Sequence, residues 1–142
     1  MSEPVRELVI DTSGFFSKSS KLMALKENGS IQLSTIDLVI LEFIKVMEVE
    51  INRAMSSKKA DRVVILNAIR ERFPKLIREL DIKIKSPEFL YEDILDLYSH
   101  VDKGLDPADS MIWLKMQRAG LDSVATRNVS DWKKLGAKVI AL

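Results

Sequence analysis

The chain has 142 residues, 46% of them hydrophobic and 30% charged, with a net charge of +1. That is the balance of one ordinary globular domain, and nucleic-acid binding would need a local basic patch rather than an overall positive field. No cysteine is present, which excludes disulfides and thiolate metal sites. The start, MSEPVREL, lacks the layout of a signal peptide. No apolar run is longer than Leu38–Leu41, far short of the roughly 20 residues a membrane helix needs. The expectation is a soluble, cytoplasmic protein without membrane contact, one domain over residues 1–142.

In chain order, Leu8–Ile10 reads as a buried strand that stops at Asp11. Gly14–Lys26 reads as a helix ended by the turn signal Asn28-Gly29, and Ile31–Leu33 as a short strand. Thr35 or Asp37 can cap a long helix running to about Met55. Ser56–Lys59 is a polar break. Ala60 to about Leu80 is a second helical stretch, which Pro74 is expected to split or end. Alternation around Ile82 and Ile84 suggests a strand. Ser86-Pro87-Glu88 reads as a helix start with proline at the first helical position, and this helix ends near Gly104. Asp106-Pro107 opens another, closed by Gly120. Val124–Thr126 is a strand, Val129–Leu135 a short helix ended by Gly136, and Val139–Leu142 a last strand. Strands alternating with helices predict an α/β fold with a mostly parallel central sheet covered by helices on both faces. In such sheets the functional crevice lies beyond the carboxyl ends of the strands, where the strand order reverses. Asp11 sits at one such end, and Thr126, Asn128 and Asp131 just past another.

Familiar nucleotide sites are absent. There is no GxxxxGK[ST], and no GxGxxG follows the first strand. The first strand ends Asp-Thr-Ser rather than Asp-x-Asp, which weighs against a haloacid-dehalogenase-type phosphatase, and no pattern matches a response-regulator receiver. His100, the one histidine, lies near a helix end, where a cation is mildly favoured. It has no evident nucleophile to serve.

The acids invite closer reading. Asp11 can simply cap the helix that follows. Glu42 lies beside the polar stripe Lys45, Glu48 and Asn52 and is flanked by Val39, Val46 and Val49. A carboxylate at that margin needs compensation, by a salt bridge or by a metal. Asp106 is a natural N-cap, and Asp109 falls at the third helical position, where an acid suits the helix dipole. Asp131 can be another first-turn acid, with Ser130 or Asn128 as the cap. Each has a plain structural explanation. Together, if the sheet winds as expected, Asp11, Asp109 and Asp131 share one edge and Glu42 can reach them. Four carboxylates in one cleft raise each other's pKa, and a hard divalent cation such as Mg²⁺ or Mn²⁺ relieves the repulsion.

Four stretches in this order resemble the PIN-domain ribonucleases, and in length and layout the VapC toxins of toxin–antitoxin modules. They are VIDTS at 9–13, LVILEFIKV at 38–46, ADSMIWLKMQRAGL at 108–121 and SVATRNVSDWKKLGAKVI at 123–140. The resemblance implies a three-layer sandwich. It implies a Mg²⁺- or Mn²⁺-dependent endoribonuclease whose catalytic and metal-binding acids are Asp11, Glu42, Asp109 and Asp131. Thr12, Ser13, Thr126 and Asn128 match positions that support the cluster by hydrogen bonding. Trp132 stands where phenylalanine is commoner, a difference expected to change packing alone. Residues 56–84 align with no motif of the family, and a role in shaping the RNA groove or a dimer surface is open.

By position, Arg127, Lys133 and Lys134, with Lys18 and Lys21, are candidates to meet RNA phosphates. The resemblance further implies a homodimer and an antitoxin protein as partners. Met23, Met47, Met55, Met111 and Met116 are adaptable apolar residues whose default place is the core. Two alternatives stand beside the toxin: an RNA-processing nuclease of the same fold without an antitoxin, and a catalytically silent RNA- or protein-binding module whose acids are caps and salt bridges.

Overall fold

The computed structural model describes residues 6–27 and 29–142, so Asn28 of the expected turn and the first five residues lie outside the described part. The elements are β1 (Arg6–Ile10), α1 (Thr12–Phe15), α2 (Ser19–Glu27), β2 (Ile31–Ile36), α3 (Asp37–Ser56), α4 (Ala60–Glu79), β3 (Lys83–Lys85), α5 (Tyr91–Asp102), α6 (Pro107–Arg118), β4 (Ser123–Thr126), α7 (Val129–Leu135) and β5 (Lys138–Ala141). The strands form one sheet in the order β3-β2-β1-β4-β5, and every neighbouring pair is parallel. The α/β sheet is thus parallel throughout. Parallel neighbours need crossover connections, and here every crossover contains a helix. The helices cover both faces, so Leu8, Val9 and Ile10 in β1 are fully buried although their side chains alternate between the faces. Among the described residues no helix is long and apolar enough to cross a membrane.

The chain steps from β1 to β2 to β3 in one direction and from β4 to β5 in the other. With right-handed crossovers, α1–α4 lie on one face and α5–α7 on the other. The packing agrees: α1 and α4 both lie against α3, and α6 lies against α5 and α7. The reversal falls between β1 and β4, and the crevice of a doubly wound sheet opens at that point.

Aromatic packing fixes the first layer. The Phe43 and Phe73 rings stack at 4.2 Å, Phe15 meets Phe73 edge-on at 4.7 Å, and Phe16 stacks on Phe43 at 4.9 Å. Such pairs contribute about 0.5–1.5 kcal/mol each beyond area burial. They hold α1 against α3 and α4. In the opposite layer, Arg118 on α6 grips Asp93 on α5 with two bonds of 2.6 and 2.9 Å, and this grip holds the Asp93 carboxyl below its ordinary value. The buried Lys115 donates to Asp37 at 3.1 Å and to the Pro87 carbonyl at 3.1 Å, joining α6 to the start of α3.

Several local expectations are corrected. The helix expected over 14–26 is two, broken at Phe16–Lys18, and the Arg72 guanidinium on α4 donates to the freed carbonyls of Phe15 and Ser17 at 3.2 and 3.4 Å. Neither Thr35 nor Asp37 is the N-cap of α3. Thr35 extends β2 and its hydroxyl donates to the Ile10 carbonyl at 2.9 Å, while Asp37 lies inside the first turn and the N-cap is Ile36. Pro74 neither splits nor ends α4; it is solvent-exposed, so water can satisfy the carbonyl its missing N–H leaves free. Ser86-Pro87-Glu88 is not helical, because the Pro87 carbonyl serves Lys115. The helix starts at Tyr91 instead, with the Asp93 carboxylate accepting the Leu90 N–H at 2.8 Å. Met47 and Met116 are core residues, but Met23 and Met55 are 50% and 64% exposed.

Gly14 sits where α1 crosses the sheet. An added Cβ would lie 2.8 Å from the Ile10 methyl and 2.9 Å from the Ala125 carbonyl oxygen, and that oxygen belongs to a paired strand that cannot yield. Gly14→Ala is therefore expected to lower the unfolding free energy in urea by about 1–3 kcal/mol, the usual cost of overpacking. A change within about 0.5 kcal/mol, as at ordinary surface sites, would show that the crossing is looser than this.

Candidate functional site

Asp11 leaves the end of β1 beside β4, at the reversal point. It is both a cap and a cluster centre. As the N-cap of α1, its Oδ1 accepts the Gly14 N–H at 2.9 Å. The Ser13 hydroxyl lies 2.9 and 3.1 Å from its two oxygens. The Thr126 hydroxyl at the end of β4 donates to Oδ2 at 2.7 Å, and the Trp132 indole Nε1–H on α7 donates to the same oxygen at 2.9 Å. Asp11 is only 2% exposed. Burial pushes its carboxyl above the ordinary value, against the pull of these donors, Thr126 foremost.

The other three acids come from different elements. Glu42, on the second turn of α3, accepts a short hydrogen bond from the Thr12 hydroxyl. Among the described residues it has no salt bridge, although a salt bridge was one of the two compensations the sequence suggested. Asp109 is the third residue of α6, and its N–H donates to the Asp106 carboxylate at 2.9 Å, so Asp106 is the expected cap. Asp131 lies exposed in the first turn of α7. The Asp109 carboxyl is pushed up to about 7, first by burial and then by repulsion from Asp106, Asp11, Glu42 and Asp131. The charges of Asp11, Glu42 and Asp131 are therefore all felt at the Asp109 carboxyl. None of these four acids belongs to an ion pair among the described residues, whereas Glu7, Asp37, Glu50, Asp93 and Asp122 each have a cationic partner. Asp106, Asp109, Asp131 and Lys134 line a cavity of about 350 Å³ on the α7 side. Among the described residues no group of three or more histidine, cysteine, aspartate or glutamate side chains is placed to hold a metal ion together.

Ser13, Thr12 and Thr126 support the acids as expected. Asn128 does so through its backbone only: its side chain makes no capping bond, while its N–H donates to Thr126 Oγ1 at 2.9 Å. Arg127 likewise donates its N–H to Ser13 Oγ at 3.0 Å, leaving the guanidinium on the exposed surface. Lys133 is exposed, as are Lys18 and Lys21. His100 is in the last turn of α5, its ring nitrogen 2.7 Å from the Asp96 carbonyl. The expectation for Trp132 is overturned, since its N–H is a direct partner of Asp11 and not only a packing group. A signal was available: a buried indole normally finds an acceptor for its N–H. Asp106, expected as a cap alone, is also the largest source of repulsion on Asp109.

Comparison of the chain with family models, with curated proteins and with solved structures finds no match.

The raised Asp109 carboxyl makes stability depend on pH. A carboxyl that binds its proton more tightly in the folded state stabilises the fold below its ordinary pKa, and that contribution is lost as pH rises toward and past 7. In metal-free buffer Asp109→Asn should therefore melt higher than the native chain at pH 8. The gap should close as pH falls below about 5, toward the ordinary carboxyl range. Melting curves of the two proteins across pH 4–9 test this, and a gap that does not vary with pH would contradict the shared repulsion.

Proposed function

We propose that this chain is a Mg²⁺- or Mn²⁺-dependent endoribonuclease of the PIN type, acting as the toxin of a toxin–antitoxin pair. The observation that carries the reading is the cleft of Asp11, Glu42, Asp109 and Asp131. Four acids come from four elements around the reversal point of a parallel sheet, with no cation among the described residues paired to any of them. A fold that pairs its acids elsewhere leaves these repelling one another, and a hard cation offsets that repulsion. The donors fit such an ion: all are oxygens, with no histidine or cysteine among them, the set that suits Mg²⁺ or Mn²⁺ with waters completing the shell. When bound, the metal supplies Lewis-acid chemistry, polarising a phosphodiester and acidifying water.

The residues divide the remaining work. Asp11, Asp109 and Asp131 hold the cation, directly or through water. Glu42, with one oxygen held by Thr12, has its other oxygen free to orient the attacking water. Arg127, Lys133 and Lys134, exposed beside Asp131, receive RNA phosphates, while the acids themselves repel the polyanion until a cation is bound. RNA is gripped through its backbone and loop shape, since no row of exposed aromatics offers stacking at the cleft. A second copy of the chain and an antitoxin segment are the protein partners of this reading. Surfaces available to them are the exposed Tyr91, Leu95 and Tyr98 of α5 and the apolar groove between α3 and α4 lined by Ile44, Met47, Ile51 and Phe73.

The test is cleavage of a mixed RNA pool with and without Mn²⁺. The native chain should cut only with metal, and Asp131→Asn should not cut while keeping its fold. Binding to the folded state alone should also stabilise the native chain by about 2.7 kcal/mol when Mn²⁺ is at 100 times its dissociation constant. A melting temperature indifferent to millimolar Mn²⁺, with no cleavage, would leave a silent binding module as the better account.

A further inference from the structure

The donors around Asp11 differ in how freely they can move. Ser13 and Thr126 carry hydroxyls, and their oxygens lie 3.0 Å apart, so either can turn its hydrogen from Asp11 to the other. Ser13 Oγ also accepts the Arg127 N–H at 3.0 Å, and Thr126 Oγ1 accepts the Asn128 N–H at 2.9 Å. The Trp132 ring has no such freedom. It carries one N–H and no acceptor, it is fully buried, and its N–H meets Asp11 Oδ2 at 2.9 Å. Oδ1 is held instead by the Gly14 N–H and by the Ser13 hydroxyl, each at 2.9 Å. Turning Ser13 toward Thr126 frees a lone pair on Oδ1. Turning Thr126 toward Ser13 frees one on Oδ2 in the same way, but the indole N–H stays on Oδ2 as the Gly14 N–H stays on Oδ1, so these two fixed donors set the orientation of the carboxylate. Trp132 is also the residue after Asp131, so the same bond ties the first turn of α7 to the end of β1.

We propose that Trp132 is a positioning residue of the cleft: its indole N–H fixes the Oδ2 edge of Asp11, and with it the orientation of the carboxylate toward a cation, and holds Asp131 in register with Asp11. This rests on the metal-dependent reading above. It assigns to residue 132 a chemical role that a phenylalanine cannot fill.

The experiment titrates Mn²⁺ calorimetrically into the native chain, into Trp132→Phe, and into protein carrying benzothienylalanine at position 132, which keeps the indole shape but replaces the N–H with sulfur. Both altered proteins should bind Mn²⁺ on the order of 10-fold more weakly, the usual effect of losing a group that orients a metal ligand. A folded variant with native Mn²⁺ affinity overturns the proposal, whatever its melting temperature. If Trp132→Phe does not fold, the benzothienylalanine protein carries the comparison. A spectroscopic readout is independent of activity. The chain has two tryptophans, so Trp113→Phe leaves Trp132 as the only one, and its emission should move saturably with Mg²⁺; emission that stays constant counts against the coupling. A native chain that binds no Mn²⁺ sinks the metal reading and this proposal with it. Native binding with unaltered affinity in the variants sinks the positioning role alone.

Discussion

The architecture of the cleft depends on keeping one carboxylate, Asp11, inside the protein. Burying a charged group without compensation costs several kcal/mol, and Asp11 is 2% exposed. The compensation is local and distant at once. Gly14 and Ser13 supply donors from the turn that follows β1, while Thr126 and Trp132 supply them from β4 and α7. The two strands on either side of the reversal point are thereby joined by side-chain hydrogen bonds as well as by their backbone ladder. Those donors have a consequence for chemistry, because they fix the orientation of the carboxylate before any ligand arrives.

Around that fixed point the protein distributes charge unevenly. Asp93 is neutralised by Arg118 and Asp37 by Lys115, both in bonds that hold helices together. Asp11, Glu42, Asp109 and Asp131 have no ion-pair partner among the described residues. Repulsion within the cleft is therefore stored against a rigid frame. That frame is the phenylalanine cluster of Phe15, Phe16, Phe43 and Phe73 on one face and the clamp between α5 and α6 on the other. The cluster is thus electrostatically unfavourable by itself, yet mechanically braced.

Much of this was legible in residue order. The apolar run Leu8–Ile10 ending in Asp11, the Asp106-Pro107 start of α6 and Gly136 after α7 are local signals, since each depends on neighbours within a turn or two. The helix–strand alternation sufficed for the α/β class and for placing Asp11 at a strand end. What failed was decided by partners far along the chain. The break after α1 is satisfied by Arg72 of α4, and Pro87 stays out of a helix because its carbonyl serves Lys115 of α6. Thr35 is drawn into β2 by the Ile10 carbonyl. A cap or strand preference of a few tenths to about 1 kcal/mol yields to a buried charge or a sheet hydrogen bond that needs a partner.

The sequence by itself determined which acids exist, how they are spaced along the chain, and that strands alternating with helices form a mostly parallel sheet with Asp11 at a strand end. Only the tertiary structure decided that Asp109 feels Asp11, Glu42, Asp106 and Asp131 together, that no lysine or arginine among the described residues pairs with any of the four cleft acids, and that Trp132 is bonded to Asp11. The physical reason is the range of the forces involved. Periodicity and capping act over a few residues and can be read along the chain, whereas a hydrogen bond between positions 11 and 132 and repulsion among acids from four elements exist only once folding has closed the distance between them.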